Sequence, residues 1–434
     1  MSAAPGTRIL IVGGGFGGLH VALGLEKALA SDPSLDVTIV NSENFFLFTP
    51  MLHEVAACDI NITHIVNPVR KLLRRVKFFD GDVHALDLEK RTVTVAHGSD
   101  THTHALPYDH LVLALGSRTN FYGLPGLEAR AMTMKSLGDA IHLRNHLIGC
   151  LEEAETECAK GFRRRLLTIV IAGGGFAGVE TMAGVNDFVR ESLRFYPSLR
   201  EEDLRMVLVH AGPVILPELS GTLGAYAQRK LAARGVEIRL NAKVSGVQEH
   251  GVTLTDGTIF ETDTVVWTAG TSPNELLDRL PCARQSGRVL VNEFLEVAGW
   301  PGVWALGDCA LIPDKATGRP FPPTAQHALR QGKVVARNIL ASIRGGSKRP
   351  FAFTTIGQLA AIGRRTGVAN ILGVNFSGFI AWWLWRTIYW SKLPRFEKKV
   401  RVALDWTLDL FFSKDLVKLT TWRGAAESPR RGNP

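Results

Sequence analysis

The chain has 434 residues, of which 46% are hydrophobic and 21% are charged, and its formal net charge is +9 at pH 7. At roughly 150 residues per domain, this length predicts two to three domains, and the composition excludes a disordered or fibrous protein. The mean hydropathy is +0.08. No uninterrupted apolar run reaches the roughly 18 residues that a membrane-spanning helix needs, which excludes a polytopic membrane protein.

The beginning of the chain reads as a buried strand, a glycine-rich turn and a helix rich in small residues. Residues 9–12 are apolar, and the pattern GxGxxG follows at Gly13, Gly15 and Gly18. In a dinucleotide-binding turn, the first glycine makes the turn, the second lets the backbone approach a pyrophosphate, and the third packs helix against strand. The four apolar residues are too few for a signal peptide, which indicates a cytoplasmic protein.

The next strand ends without the usual acidic residue. Residues 37–40 are apolar or β-branched, Asn41 follows, and Glu43 comes two positions later. A carboxylate at the end of this strand normally binds the ribose hydroxyls. An asparagine side chain can still donate to and accept from a ribose hydroxyl, so we expect Asn41 to contact the nucleotide.

Several histidines lie close together after this unit. His102 and His104 would share one face of a strand, which could suit a metal ion. No cysteine or carboxylate spacing completes such a site, so we predict a solvated β-hairpin and no metal.

The glycine motif occurs a second time. Residues 169–179 nearly duplicate residues 9–19, with GxGxxG at Gly173, Gly175 and Gly178. Two such folds in one chain suggest two dinucleotides, most simply a flavin and a nicotinamide. The apolar residues 206–209 then lead into His210, which lacks the carboxylate that would repel a 2′-phosphate.

Further apolar strands would carry the chain out of one unit and back into the other. They are predicted at residues 111–115, before Gly116, at 264–273, and at 303–309. Asp308, at the end of the last strand, can accept hydrogen bonds from ribityl hydroxyls, and its alternative role is a helix cap.

A helix is predicted to open near residue 322. Gln326 and Arg330 lie one turn apart on it, as do His327 and Gln331. A helix N-terminus aimed at a flavin can stabilise negative charge on the reduced ring. The alternative is a capped surface helix with solvated side chains.

The C-terminal region combines positive charge with tryptophan. From Arg386 onward there are 11 basic and 5 acidic side chains, and six of the nine tryptophans lie after residue 380. The apolar stretch 376–390 is too short to span a bilayer of about 30 Å. A second amphipathic helix is predicted over 400–412. We expect both to lie in the membrane interface; the alternative is that they cover the protein's own core or a dimer partner.

Together these residues resemble the type II, non-proton-pumping NADH:quinone oxidoreductases, which are flavoproteins with two dinucleotide-binding domains. The resemblance covers about residues 7–412. Its motifs follow in the family's order at residues 48–56, 173–180, 186–204 (an extended helical insertion), 265–271, 307–310, 324–331 and 357–364.

The resemblance implies an α/β fold with two Rossmann-like dinucleotide-binding domains, for FAD and NAD(P)H, plus a C-terminal amphipathic helical membrane-binding segment. The FAD domain is expected at 1–120 and 286–375, the NAD(P)H domain at 121–285, and the membrane-association tail at 376–434. The expected partners are a membrane quinone and an anionic lipid surface; a homodimer is possible and no nucleic acid is expected. The location implied is peripheral, on the cytoplasmic face of the inner (cell) membrane.

The resemblance also implies the chemistry and its residues. NADH would pass a hydride to the flavin N5, and two electrons would then pass to a membrane quinone without proton pumping. Glu180, Gln326 and Gln331 take catalytic positions, although Glu180 has the alternative of packing or capping. FAD or NADH is expected to contact Gly13, Gly15, Gly18, Asn41, Glu43, Thr49, Gly116, Gly173, Gly175, Gly178, Glu180, His210, Gly270, Asp308, Ala325 and Gln326.

Other activities stay open at this point. His210 leaves NADPH possible as the donor. A sulfide-dependent quinone reductase would need a cysteine pair at the flavin, whereas Cys150 and Cys158 precede the second unit and no cysteine follows Cys309. A soluble NADH oxidase and a nucleic-acid-binding flavoprotein are further alternatives. The tail argues against both, because its charge accompanies apolar helices.

Overall fold

The computed structural model describes residues 6–98 and 102–419, so Thr101 and Trp422 lie outside the described residues. The first glycine motif belongs to a sheet whose strands all run parallel. Its apolar runs are buried on both faces, as parallel strands between helical layers require. In spatial order the strands are Val303–Ala305, His110–Leu113, Thr7–Val12, Leu35–Asn41 and Lys77–Asp80.

The second glycine motif belongs to a parallel sheet of the same design. In spatial order its strands are Met132–Thr133, Thr264–Trp267, Thr168–Ala172, Arg205–Val209 and Val236–Arg239. The predicted strands at 264–273 and 303–309 therefore belong to different sheets. Residues 264–267 join the second sheet, and residues 303–305 join the first. The α/β fold with two Rossmann-like units is confirmed.

Short antiparallel sheets surround these two. The strands Ser117–Thr119 and Thr271–Pro273 pair where the chain crosses between the units. The others are Phe45–Leu47 with Val66–Pro68; Asp82–Asp87, Thr92–His97 and His102–Pro107; Val244–Gln248, Gly251–Leu254 and Ile259–Glu261; Arg284–Gln285, Arg288–Leu290 and Ala310–Leu311, the last pair parallel; and Gly357–Ala361, Gly367–Ile371 and Val374–Gly378.

The helices fill the layers against the sheets. They span Phe16–Leu29, Leu52–Ala56, Val69–Leu72, Leu127–Arg130, Leu137–Thr156, Lys160–Leu166, Phe176–Ser192, Gly221–Ala232, Ala325–Ile343, Phe379–Lys392 and Phe396–Leu408. The predicted helical insertion at 186–204 is only partly helical. The helix ends at Ser192 and short 3₁₀ turns follow, because Pro197 cannot continue it.

Two helices pack closely beside the first glycine turn. Phe16–Leu29 and Ala325–Ile343 approach so closely that a Cβ on Gly24 would lie 2.6 Å from the Ala336 methyl group, and one on Gly332 would lie 2.5 Å from the Gly17 carbonyl oxygen. Small residues at both positions therefore bring the start of the second helix next to the first glycine turn.

The two C-terminal helices have an inner and an outer face. Trp385 and Trp406 are buried on the inner face, whereas the outer face exposes large apolar side chains. The predicted second helix begins earlier, at Phe396, because Pro394 breaks the chain just before it. In the described parts of the chain, no helix is both long and apolar enough to cross a membrane. The two helices of the predicted tail therefore pack on the core through their inner face.

Candidate active site

The first glycine turn, residues 13–18, is closed on one side and open on the other. Gly13 has φ of +104°, and a Cβ on Gly18 would lie 1.8 Å from the Gly13 carbonyl oxygen, so neither position accepts a side chain. A Cβ on Gly15 would meet nothing within 4 Å. The open side adjoins the first N–H groups of the helix Phe16–Leu29, which have no partner within that helix. This geometry fits a pyrophosphate.

The second glycine turn, residues 173–178, repeats this geometry. Gly173 has φ of +123°, and a Cβ on Gly178 would lie 1.8 Å from the Gly173 carbonyl oxygen. At Gly175 a Cβ would meet only the flexible Glu218 carboxylate, at 3.4 Å. The second turn therefore also fits a pyrophosphate.

Asn41 and His210, which are expected to contact the nucleotides, hold the glycine turns. Asn41 Oδ1 accepts a 2.7 Å hydrogen bond from the Gly14 N–H, and its Nδ2 donates to the Glu43 carbonyl. His210 Nδ1 accepts from the Gly174 N–H at 3.1 Å. Burial lowers the pKa of His210, so the ring is neutral and its proton lies on Nε2. In both units, the side chain at the end of the second strand thus holds the glycine turn through a hydrogen bond.

A cleft of about 1200 Å³ adjoins the first glycine turn. Small-ligand pockets are about 300–1,000 Å³, so this cleft has room for more than one small ligand. It brings together many of the predicted residues: Gly15, Thr49, Gly116, Glu180, Gly270, Asp308, Ala325 and Gln326. It does not include Gly13, Gly18, Asn41, Glu43, Gly173, Gly175, Gly178, His210 or Gln331.

Asp308 is held by a chain of polar side chains that the sequence did not reveal. Ser117 Oγ donates to Asp308 Oδ2 at 2.6 Å, and Lys135 Nζ donates to Ser117 Oγ at 2.6 Å. All three residues line the cleft. Burial lowers the pKa of Lys135. Asp308 lies in the turn Gly307–Cys309, so it does not cap the following long helix, which Thr324 begins.

The long helix Ala325–Ile343 starts at the cleft wall, where Thr324, Ala325 and Gln326 line the cleft. Thr324 makes no side-chain cap, so the first N–H groups remain available to a ligand. Gln326 Nε2 donates to the Gly357 carbonyl at 3.3 Å. The predicted surface-helix alternative for this segment is therefore wrong.

Gln331 does not occupy the predicted catalytic position. It is 2% exposed, and its Oε1 accepts a 2.9 Å hydrogen bond from the Gly307 N–H. One helical turn beyond Gln326 and His327, the side chain points into the packed interior and supports the turn that carries Asp308.

Glu180 is a buried carboxyl group at the cleft wall. Its Oε1 accepts hydrogen bonds from the Ala361 N–H at 3.0 Å and from Trp385 Nε1 at 2.9 Å, while Oε2 lies 3.8 Å from His53 Nδ1. Burial raises the pKa of Glu180 to about 8. Burial also lowers the pKa of His53 to about 4. At neutral pH, Glu180 is therefore protonated and His53 is neutral.

A second buried carboxyl group lies beside this one. Burial raises the pKa of Glu54 to about 8, and its Oε2 accepts from Trp406 Nε1 at 3.3 Å. Trp385 and Trp406 thus tie both C-terminal helices to carboxyl groups next to the cleft. The sequence favoured the membrane interface for these tryptophans, and the alternative that this region covers the protein's own core describes these two side chains.

Basic residues from distant parts of the chain also line the cleft. Lys71, Arg74, Arg330, Lys392 and Arg395 are among the lining residues, and the last two belong to the C-terminal region. The charge excess that the sequence placed in the tail thus reaches the cleft itself.

Comparisons with known proteins agree with this geometry. A sequence model of the pyridine nucleotide-disulphide oxidoreductases matches residues 7–332. A model of the NDH2 C-terminal domain matches residues 356–415. The chain is similar to the type II NADH:quinone oxidoreductase Ndh of Mycobacterium tuberculosis, at 33% identity over 92% of this chain and 87% of that protein. It is also similar to the demethylphylloquinone reductase NdbB of Synechocystis, at 31% identity over 92% of this chain and 95% of that protein.

The fold matches a solved structure nearly throughout. NDH2 from Plasmodium falciparum in complex with NADH superposes with a TM-score of 0.87, covering 95% of this chain and 100% of that one. Sequence identity is 18%, so this match supports the fold alone.

Proposed function

We propose how the cleft works from one premise: the chain belongs to the family of type II NADH:quinone oxidoreductases. It is an FAD-dependent enzyme that oxidises NADH and reduces a quinone. When bound, FAD supplies the redox chemistry, by accepting a hydride from NADH and passing two electrons to the quinone. The proposal rests mainly on one observation: Gly15, Asp308, Ala325, Gln326 and Glu180 all line one cleft.

The chain's own residues bind and orient FAD in this proposal. The open face of the first glycine turn would hold the pyrophosphate, and Asp308, held by Ser117 and Lys135, would accept hydrogen bonds from the ribityl hydroxyls. The N-terminus of the helix Ala325–Ile343 stabilises negative charge at the ring. Gln331 is a positioning residue that acts through Gly307. We propose that residues 1–120 and 286–375 form the FAD-binding domain and that residues 121–285 form the NAD(P)H-binding domain.

Glu180 holds the proton that the quinone needs. The Oε1 atom already accepts two hydrogen bonds, so the proton of the neutral acid lies on Oε2. Burial keeps that proton in place at neutral pH, because it raises the pKa to about 8. An acid whose pKa lies near the working pH is suited to donate a proton.

The sulfide-dependent alternative has no support at the cleft. Its chemistry needs a cysteine pair at the flavin, and none of the cysteines is among the described residues that line the cleft. Cys150 and Cys158 lie elsewhere, on or after the helix Leu137–Thr156.

Anaerobic stopped-flow spectroscopy tests the proposed function. The purified yellow enzyme is mixed with NADH, or separately with NADPH, and then with a short-chain quinone. We expect bleaching of the flavin by NADH and recovery of its absorbance with quinone. The comparison also decides the donor that His210 leaves open. Normal flavin absorbance without bleaching by either nucleotide would contradict the proposal.

Gln326→Ala is expected to slow reoxidation by quinone by about tenfold and reduction by NADH by less than about twofold. Loss of one neutral hydrogen bond costs about 0.5–1.5 kcal/mol, and the upper end of this cost corresponds to a rate decrease of about tenfold. Both rates are measured by stopped flow. Equal slowing of the two steps would remove Gln326 from the acceptor side of the cleft.

The outer face of the C-terminal helices is proposed to bind a membrane. Its exposed side chains include Val400, Leu404 and Leu408, spaced one helical turn apart, and Phe411 beyond them. Arg401 is half-exposed on the second helix, and Lys392 at the end of the first helix and Arg395 just before the second line the cleft. Apolar residues that enter the interface beside basic ones favour an anionic lipid surface. We propose a peripheral enzyme at the cytoplasmic face of the cell membrane.

The triple change Leu404→Ser, Leu408→Ser and Phe411→Ser is expected to abolish vesicle binding. At about 1.5 kcal/mol or more per buried side chain, the partition coefficient falls about a thousandfold. Co-sedimentation with anionic and neutral vesicles measures this, and NADH:dye activity should persist. Ile259→Ser is the control, because Ile259 is also exposed (57%) but lies on the strand Ile259–Glu261 and not on the C-terminal helices. If the triple variant keeps full vesicle binding but changes from dimer to monomer in light scattering, the face binds a second copy instead.

A further inference from the structure

Three histidines meet on a hairpin of the first unit. The strands Thr92–His97 and His102–Pro107 pair so that His97 lies opposite His102 and Val95 lies opposite His104. His102 and His104 share one face because side chains alternate along a strand. His97 Nε2 lies 2.8 Å from His104 Nε2. The ring centroids of the three pairs are 4.7–5.4 Å apart.

We propose that His97, His102 and His104 form a binding site for a divalent transition-metal ion of the class that imidazole prefers, with Zn²⁺, Ni²⁺ and Cu²⁺ as candidates. One ring nitrogen from each residue lies within 4.8 Å of the others. Around a tetrahedral zinc ion with Zn–N of about 2.0–2.1 Å, ligand nitrogens are about 3.4 Å apart. The observed separations bracket that spacing, since His97 Nε2 and His104 Nε2 are 2.8 Å apart and no pair exceeds 4.8 Å.

The surroundings orient the imidazole rings and leave the cluster open to solvent. Phe79 packs against His97 and His104, with ring centroids 6.1 and 5.4 Å away, and holds these two rings on one side. His97 and His102 are exposed, so an ion can enter and keep a water ligand.

The site is separate from the redox cleft. None of the three histidines lines the cleft, and the hairpin belongs to a different sheet from the glycine turns. The sequence argued against a metal here, because no cysteine or carboxylate spacing completes a site with His102 and His104. The register of the hairpin supplies His97 as the third ligand.

Isothermal titration of the untagged, FAD-loaded enzyme with Zn²⁺ tests this site. The test variant is His104→Gln. The matched control is His84→Gln, since His84 is an exposed histidine on the adjacent strand Asp82–Asp87. We expect one saturable Zn²⁺ site per chain in the wild type and the control. Affinity should fall by at least about tenfold in His104→Gln, because loss of even an outer-shell partner costs that much.

Electron paramagnetic resonance with Cu²⁺ provides the second readout. We expect superhyperfine splitting from several imidazole nitrogens in the wild type, reduced in His104→Gln and unchanged in His84→Gln. Absence of saturable binding to the wild type would overturn the proposal. So would equal affinity and equal splitting in His104→Gln and the wild type.

Discussion

A Gly15→Val chain is expected to fold normally and to be purified without its yellow colour. The Cβ position of Gly15 has no neighbour within 4 Å, and its backbone, at φ −73° and ψ −164°, is extended. Valine therefore fits the protein alone. Its side chain would occupy the open face of the first glycine turn, where the pyrophosphate must approach. Overpacking of about 1–3 kcal/mol lowers FAD affinity by up to about a hundredfold.

The ratio of flavin to protein absorbance, measured before and after incubation with excess FAD, gives this affinity. Thermal unfolding of the flavin-free protein checks the fold. Gly161→Val is the control, because Gly161 is an exposed helical glycine whose Cβ position is also free of neighbours. It should remain yellow. A fully yellow Gly15→Val enzyme would show that the pyrophosphate binds elsewhere.

Glu180→Gln is expected to slow quinone-dependent reoxidation by about 10²–10⁴-fold, which is the usual contribution of a general acid. The amide keeps an acceptor for Ala361 N–H and Trp385 Nε1 but has no acidic proton to give. Reduction by NADH should change by less than about twofold, since the hydride carries its own electrons and needs no proton from this residue. Stopped-flow measurement of each half-reaction distinguishes the two steps.

The pH dependence of reoxidation tests the same role independently. Glu180 is protonated below its pKa of about 8, so the wild-type rate should be full near pH 6–7 and should fall as the pH rises through about 8. The Gln variant should lack this fall. Trp385→Phe removes a hydrogen bond that favours the charged carboxylate, so the fall should move to higher pH. If the profiles of all three proteins coincide, Glu180 does not supply the proton.

Local features of the site were predictable, because each follows from a short stretch of sequence. Both glycine turns came from spacing alone, since Gly13 and Gly18 are required by backbone geometry that only glycine accepts. The same kind of pattern predicted a helix opening near residue 322, a few residues before its observed start at Ala325, and the position of Asp308 at the end of a strand. In each case the residues involved are neighbours in the chain.

Features that depend on long-range packing were not predictable. Lys135 and Ser117 reach Asp308 from far along the sequence. Gln331 shares a helix with Gln326 but points inward, toward Gly307. The sequence predicted nucleotide contact for Asn41 and His210, but it did not indicate that both side chains also hydrogen-bond to glycine turns. Which side of a helix is buried is decided by its partner, and the sequence does not specify that partner.

The attachment of the C-terminal helices by Trp385 and Trp406 has a consequence for protein engineering. Cutting the chain before Phe379 is expected to destabilise the enzyme, because that cut removes the hydrogen-bond donors to Glu180 and Glu54 and uncovers the core beneath. For the same reason, the segment cannot be exchanged like a detachable anchor for one from another protein. The workable route to a water-soluble enzyme is to replace the exposed apolar side chains of these helices with polar ones and to leave every inward-facing residue in place.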